Sequence, residues 1–479
     1  MNILAIDQGT SATKALVLGP DNEVLGSAEE PVHPRSTADG GVEQDPEELY
    51  RSVLGAGTRA LGQARAPVQA MALANQGETV LAWDRRSGRA LTPAIVWQDR
   101  RSSDICRRLS ASAGRLAAIT GLPLDPYFAA PKMTWLRENL TAEGVVTTTD
   151  TWLLARLGAG YVTDAATASR TLLLDLATAD WSAEACGVFG LDPAALPEVG
   201  DCAGAFGETA AFGPALPVTG LAVDQQAALL AERCFAAGEA KCTYGTGAFL
   251  LATTGPVPVR STAGLSASVA WRLRGSVTYC LDGQVYTAGA AVRWLADLGL
   301  VPAAEGLDAA GASVPDSGGA VFVPALAGLG APHWRPDARG AFLGLGLGVT
   351  RAHLARAVVE GIAASVALLA RSAAADGAPL GRLRVDGGLT RSRLLVQAQA
   401  DLLQAPVEVS KSQDATALGV AALARLGAGD RADLAEAVGQ AQVEWVAEPA
   451  ITADHAAERL SAYDSAVRAV LAAPGAPSR

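Results

Sequence analysis

Twice in this 479-residue chain, about 240 residues apart, a short apolar run stops at a turn built on glycine and threonine, and a second apolar run follows at once. The first copy runs from Ile3 to Ile6, through Asp7-Gln8-Gly9-Thr10-Ser11, to Ala15–Leu18. The second is Lys241-Cys242-Thr243-Tyr244, then Gly245-Thr246-Gly247, then Ala248 to Ala252. Short apolar runs bounded by glycine turns read as paired strands. One such motif used twice at half-chain spacing predicts an internal duplication, with two α/β lobes facing each other across a cleft. The Gly-, Pro- and Ala-rich stretch from Ala205 to Gly220 reads as a surface excursion, with the lobe boundary near residue 232. The expected division is 1–232 and 233–479.

Helical periodicity is clearest in the second half. Leu354, Ala357, Val358 and Ile362 share one helix face within His353–Ala370. Arg391–Leu403 and Ala415–Leu426 follow the same pattern, and Leu460, Tyr463, Val467 and Val470 make a stripe in a docked terminal helix. Pro474–Arg479 is expected to fray. A net charge of −11 with no basic run argues against nucleic acid as a partner, because neutralising phosphates needs a basic surface. The start has no basic segment ahead of its apolar run, so a signal peptide is not expected. No apolar stretch reaches the ~18 residues of a membrane span. The six cysteines carry no CxxC pair and read as small buried residues in a reducing, cytoplasmic setting. The four histidines are not spaced as metal ligands. Oligomeric state is not legible, and a homo-oligomer stays open.

Three glycine turns could carry chemistry. Asp7-Gln8-Gly9-Thr10 puts a carboxylate at a strand end beside successive backbone N–H groups and a hydroxyl, which together make a phosphate cradle. The carboxylate of Asp7 can hold Mg²⁺, through water, because hard cations take oxygen ligands. Gly245-Thr246-Gly247 is a second cradle. Asp386-Gly387-Gly388, after the apolar Leu383–Val385, is a third place where a ligand can approach the backbone closely. Each alone reads equally as an ordinary turn. No GxxxxGK[ST], GxSxG or HExxH occurs. Gly344-Leu345-Gly346-Leu347-Gly348 lacks the spacing of a dinucleotide fingerprint and reads as close packing beside a helix.

The order of the three turns is similar to the two-lobe nucleotide-binding fold shared by actin, hexokinase and the heat-shock chaperone ATPases, a duplicated ribonuclease H-like architecture. More specifically, the chain resembles the FGGY carbohydrate kinases, and among them closely the glycerol kinases, from Ile3 to about Leu426. Ala5–Lys14 matches the opening phosphate loop. Asn75-Gln76-Gly77-Glu78 and Ala94–Arg101 resemble the acceptor-site strands. Asp125-Pro126-Tyr127-Phe128 with Lys132 resembles the first family signature, although Ala129 replaces the usual Ser, Thr or Pro. Gly328–Trp334 and Gly340–Glu360 fit the second.

The resemblance implies ATP and Mg²⁺ as cofactors and a small polyol or sugar as partner, with phosphorylation of a primary hydroxyl and glycerol as the leading acceptor. It implies that Asp224 is the general base, a role for which a carboxylate suits a loose phosphoryl transfer. The same residue could instead cap the helix that starts at Gln225. Gly77, Glu78, Trp97, Tyr127, Gln225 and Phe249 would line the polyol pocket. Thr10, Ser11, Lys14 and Thr246 would hold phosphates, while Gly289, Arg293, Gly388 and Ser392 would lie near adenine and ribose. Arg293 and Ser392 stand where glycerol kinases usually carry amides. Gly77 stands where they carry arginine. Losing that guanidinium removes ~1.5–3 kcal/mol of charged hydrogen bonding and opens space, so a larger polyol or ketose is the alternative acceptor. The Ser-Gly-Gln-Met-His stretch usual in xylulose kinases is absent. A catalytically inactive sugar sensor is a remoter alternative, opposed by the intact Asp224 and both Gly-Thr loops. The region around Pro214 is shorter than the family's regulatory loop, which puts sugar-phosphate feedback in doubt.

Overall fold

The computed structural model describes residues 1–302 and 306–473; the tail expected to fray lies outside the described residues. Ile3, Leu4, Ala5 and Ile6 are all fully buried, as a strand covered on both faces must be. Ile3–Gln8 turns back through Gly9–Ser11 to pair antiparallel with Ala12–Leu18, which pairs in turn with Val24–Pro31. On its other side Ile3–Gln8 pairs parallel with Ala70–Asn75, and that strand pairs parallel with Leu216–Val223. The second sheet repeats this order. Ala240–Tyr244 pairs antiparallel with Ala248–Gly255, which lies beside Ser276–Val285. It also pairs parallel with Leu383–Asp386, next to Val407–Ser410. The duplication expected from the two Gly-Thr turns is therefore present as an equivalent strand order in both sheets.

In each lobe the last of these five strands leads into a helix. Leu216–Val223 runs directly into Asp224–Ala231, and Val407–Ser410 leads to Ala415–Gly427. The two helices pack on each other. A Cβ at Gly419 would fall 1.8 Å from the carbonyl oxygen of Ala227, so only glycine permits this approach. Ala415–Gly427 also covers a face of the first sheet, where Ala417, Val420 and Leu423 share a core with Ile3, Ala5 and Leu16. A smaller sheet built from Arg35–Ser36, Val42–Gln44, Ala94–Ile95, Val80–Trp83 and Val145–Thr148 sits on the first lobe.

Several expectations change. Ala205–Gly220 is not wholly a surface excursion, because Leu216–Val223 is a buried strand of the first sheet. Its Gly220 serves close packing instead of a loop, since a Cβ there would lie 2.6 Å from the backbone nitrogen of Ala424. The helix expected over 353–370 extends over Arg351–Ala375, with Thr350 and His353 capping its start reciprocally. It is the one helix among the described residues long and apolar enough to cross a membrane, and 72% of its most apolar window is buried inside the protein. Arg393–Leu403 starts two residues late because Gly388–Arg391 forms a 3₁₀ turn. Gly344–Gly348 is exposed with Leu345 and Leu347 in solvent; only Gly344 is closely packed, a Cβ there lying 2.2 Å from the Gly319 carbonyl oxygen, so the expected close packing holds at one glycine and against a turn instead of a helix. All six cysteines are unpaired and five are buried. Burial pushes the thiols of Cys234, Cys242 and Cys280 up to about 12.

Candidate active site

Three parallel strands of the first sheet end together, with Gln8 and Val223 both registered against Asn75. The segments that follow them, Gly9–Ser11, Gln76–Glu78 and Asp224–Gln225, therefore open on one edge, the C-terminal edge where α/β sheets place ligands. In the second sheet the hairpin turn Gly245–Gly247 and the Gly387-Gly388 turn occupy the equivalent edge. A Cβ at Gly387 would lie 2.5 Å from the Tyr244 carbonyl oxygen, and its φ is +92°, so glycine is required there. Between the edges lies a cleft of about 400 Å³.

Eleven of the residues expected at the site border this one cleft: Thr10, Ser11, Gly77, Glu78, Trp97, Tyr127, Asp224, Gln225, Thr246, Phe249 and Arg293. Trp97 forms the centre of an aromatic wall, edge-on to both Tyr127 and Phe249 at 5.9 Å. Its indole Nε1 donates to Thr10 Oγ1 at 2.9 Å, tying the wall to the first loop. Gln44 donates to the Thr10 carbonyl at 2.7 Å and accepts from Gln76 at 2.9 Å, which fixes the two turns against each other. Lys132, buried, donates to the carbonyls of Pro126, Tyr127 and Phe128 at 2.6–2.9 Å and so holds the Tyr127 loop. Burial draws its ammonium down to about 7. Residues Gln76–Glu78 form a turn between strands of two different sheets, not a strand as expected. Glu78 sits there at φ +56°, a strained conformation for a residue with a side chain.

Asp224 is the first residue of its helix, and its Oδ1 accepts the Gln225 N–H at 2.7 Å. Desolvation raises its carboxyl above the usual range, opposed by the nearby Lys241 ammonium. Lys241 Nζ donates to Gln225 Oε1 at 2.6 Å and to Thr243 Oγ1 at 2.7 Å. Gln225 thereby has its acceptor occupied and its amide N–H groups left for the cleft. Burial pushes the Glu78 carboxyl up to about 7, against the pull of Arg170. Asp7, next to last in its strand, lies near Asp224 and Asp414. Desolvation first, and then repulsion from these two, push its carboxyl up to about 8.

Five expected residues do not border the cleft. Asp7 lies next to the strand end, as just described. Lys14, its strand partner, is ion-paired with Asp414 of the second lobe. Gly289 opens the helix Gly289–Asp297, and a Cβ there would lie 2.6 Å from the Gly245 carbonyl oxygen. Gly388 lies in the 3₁₀ turn after the second-lobe strand. Ser392 caps Arg393–Leu403, accepting from Leu395 N at 3.0 Å and donating to Asp308.

Sequence reasoning missed two ionic residues of the cleft, Arg170 and Asp282. Arg170 Nε donates to Glu78 at 2.7 Å and Nη1 to Asp282 at 2.6 Å, with all three side chains under 10% exposed. A signal existed: Arg170 is the single charge in the small-residue run Ala165–Thr171, a context that buries whatever it contains.

Facing sheets of equivalent strand order, each opening a Gly-Thr loop onto a shared cleft, define a two-lobe α/β fold of the actin and hexokinase type. The N-terminal domain model of the FGGY family of carbohydrate kinases matches residues 2–231, and the C-terminal domain model matches residues 240–428. The chain belongs to this family. It is 43% identical to a glycerol kinase of Aromatoleum aromaticum, with 97% of this chain and 98% of that one aligned. It is 46% identical to a glycerol kinase of Thermus brockianus over 89% of this chain and 90% of that one. The crystal structure of Plasmodium falciparum glycerol kinase with ADP superposes with a TM-score of 0.91 at 31% identity, covering 99% of each chain.

Proposed function

We propose that this enzyme transfers the γ-phosphoryl group of ATP to a primary hydroxyl of glycerol, giving glycerol 3-phosphate and ADP. The observation that carries the reading is the cleft, where Asp224 and Gln225 face Glu78 and the Trp97–Tyr127–Phe249 wall. The aromatic faces cover the carbon skeleton, while Glu78 and the Gln225 amide meet hydroxyls. Asp224 takes the proton as the acceptor oxygen bonds to the γ-phosphorus and the bond from phosphorus to the β-phosphate bridging oxygen breaks. Its raised pKa brings it nearer the working pH, which suits a base. Thr10, Ser11 and Thr246 sit on loops able to donate to phosphate oxygens, with Arg293 on the same cleft. Lys14, Gly289, Gly388 and Ser392 serve the nucleotide from outside the cleft's border.

The carboxyl of Asp7, raised by desolvation first and then by its acidic neighbours, fits a cation that would favour its charged form and relieve that repulsion. Among the described residues no group of three or more His, Cys, Asp or Glu side chains forms a metal cage. That pattern suits Mg²⁺ held mainly by nucleotide phosphates and water, with Asp7 as the protein's contribution. When bound, the ion neutralises charge on the transferring group. Unpaired, buried thiols fit a cytosolic setting. A coupled assay of ADP release with glycerol tests the reading: glycerol-dependent turnover is expected, and its absence with ATP and Mg²⁺ present refutes glycerol as acceptor.

A further inference from the structure

Resting on that reading, we infer that Arg170 is an acceptor-binding, specificity-determining residue, whose free guanidinium nitrogen donates to a polyol hydroxyl from the side of the cleft where Gly77 offers nothing. Arg170 follows the helix Ala165–Ala168 in the first lobe and reaches the cleft beside Gly77, Glu78 and Tyr127. Its Nε is committed to Glu78 Oε1 and its Nη1 to Asp282 Oδ1. No partner for Nη2 occurs among the described residues, and the side chain borders the cleft. The guanidinium also stacks near the Phe128 and Tyr127 rings, with Cζ 5.2 Å and 5.8 Å from their centroids, so the plane is held on three sides.

A buried guanidinium has five donors in a rigid fork and no acceptor capacity. Two anchored arms fix the direction of the remaining one. A donor so placed discriminates among acceptors, because a hydroxyl that fails to meet it leaves a charged N–H unpaired. The Nε contact also orients Glu78, another polar group on that wall. Asp282 lies on Ser276–Val285 of the second lobe, so the acceptor subsite includes a charge from each lobe.

The test compares glycerol with propane-1,2-diol and propane-1,3-diol, each lacking one secondary or terminal hydroxyl, in wild type and Arg170→Lys. Lysine keeps the charge but cannot serve both carboxylates and an acceptor. With glycerol, kcat/KM should fall about tenfold or more, the scale of one charged hydrogen bond. The ATP KM should stay within about twofold, because Arg170 is assigned to the acceptor alone. For the diol that lacks the bound hydroxyl, the lysine penalty should shrink to about twofold. An equal penalty on all three acceptors, or none on any, overturns the inference. Should Arg170→Lys fail to fold, a crystal structure of the wild type with glycerol decides: a hydroxyl within about 3.2 Å of Nη2 supports it, and none there overturns it. Failure of the functional reading looks different, since the wild type would then turn over no glycerol. The complex with whichever polyol it does phosphorylate then reads the same atom.

Discussion

Asp224→Asn separates stability from chemistry, because the structure predicts opposite signs for the two. Asparagine keeps an oxygen that can accept the Gln225 N–H, so the 2.7 Å bond at the helix start survives. What disappears is one negative charge that repels Asp7 and was costly to desolvate. Against this stands the loss of a favourable carboxylate at a helix N-terminus, worth ~0.3–1 kcal/mol. The melting temperature should therefore be unchanged or raised. Turnover should fall by ~10²–10⁴-fold, equal to ~2.7–5.5 kcal/mol of transition-state stabilisation. The glycerol KM should move by less than about threefold, since the amide still hydrogen-bonds a hydroxyl. The pH profile adds a second readout. A base whose pKa is raised loses activity as pH falls through that value, so the wild type should show an acid limb that the variant's residual activity lacks. A coupled ADP assay with calorimetric ATP binding measures all of this. Turnover within about threefold of wild type, with ATP binding intact, would refute Asp224 as the base.

Asp7→Asn should raise stability increasingly between about pH 4 and pH 8. A carboxyl held near 8 in the fold but near 3.8 when unfolded costs stability as pH rises through that window, on the order of a few kcal/mol at the top; a pH-independent difference in melting temperature would contradict the shift. Gly419→Val should cost about 3 kcal/mol or more, because its Cβ meets the Ala227 carbonyl oxygen at 1.8 Å; a variant that melts like wild type would show that the helices do not touch there. Gly77→Arg needs Val223 Cγ2, 3.0 Å from the new Cβ, to yield by a few tenths of an ångström. It should then raise glycerol kcat/KM by up to roughly tenfold, ~1.4 kcal/mol, and depress four- and five-carbon acceptors. No change with any acceptor would mean that this turn does not face the substrate.

The duplication was legible because strand–turn–strand motifs are local: the residues that make Gly9–Ser11 and Gly245–Gly247 turn are the residues in them. The convergence of Thr10, Glu78, Trp97, Asp224 and Thr246 was reached through the family resemblance, since their sequence separations carry no geometric information. Arg170 and Asp282 were missed for a related reason. They are 112 residues apart, and neither belongs to one of the three glycine turns: Arg170 lies in the turn after Ala165–Ala168, and Asp282 lies inside a strand. The guanidinium judged lost at Gly77 was sought only in its own segment, whereas the structure supplies one from a different element. Leu216–Val223 was misread because Pro217 and Gly220 look like loop residues. In the fold that glycine makes room for the backbone of Ala424, a partner more than 200 residues away.

The position of Ala415–Gly427 on the first sheet has a consequence for how the chain is made. Arg425, itself 1% exposed, donates to the carbonyl of Gly19 at 2.6 Å, a contact spanning 406 residues. Ile3, Ala5 and Leu16 share their core with Ala417, Val420 and Leu423. During synthesis at ~5–20 residues per second, the opening sheet therefore waits tens of seconds for its covering helix, with that apolar face unprotected meanwhile. The first strand to emerge is among the last to be sealed. The two halves share one late folding step, and a nascent chain stalled anywhere before residue 415 is a natural client for a chaperone.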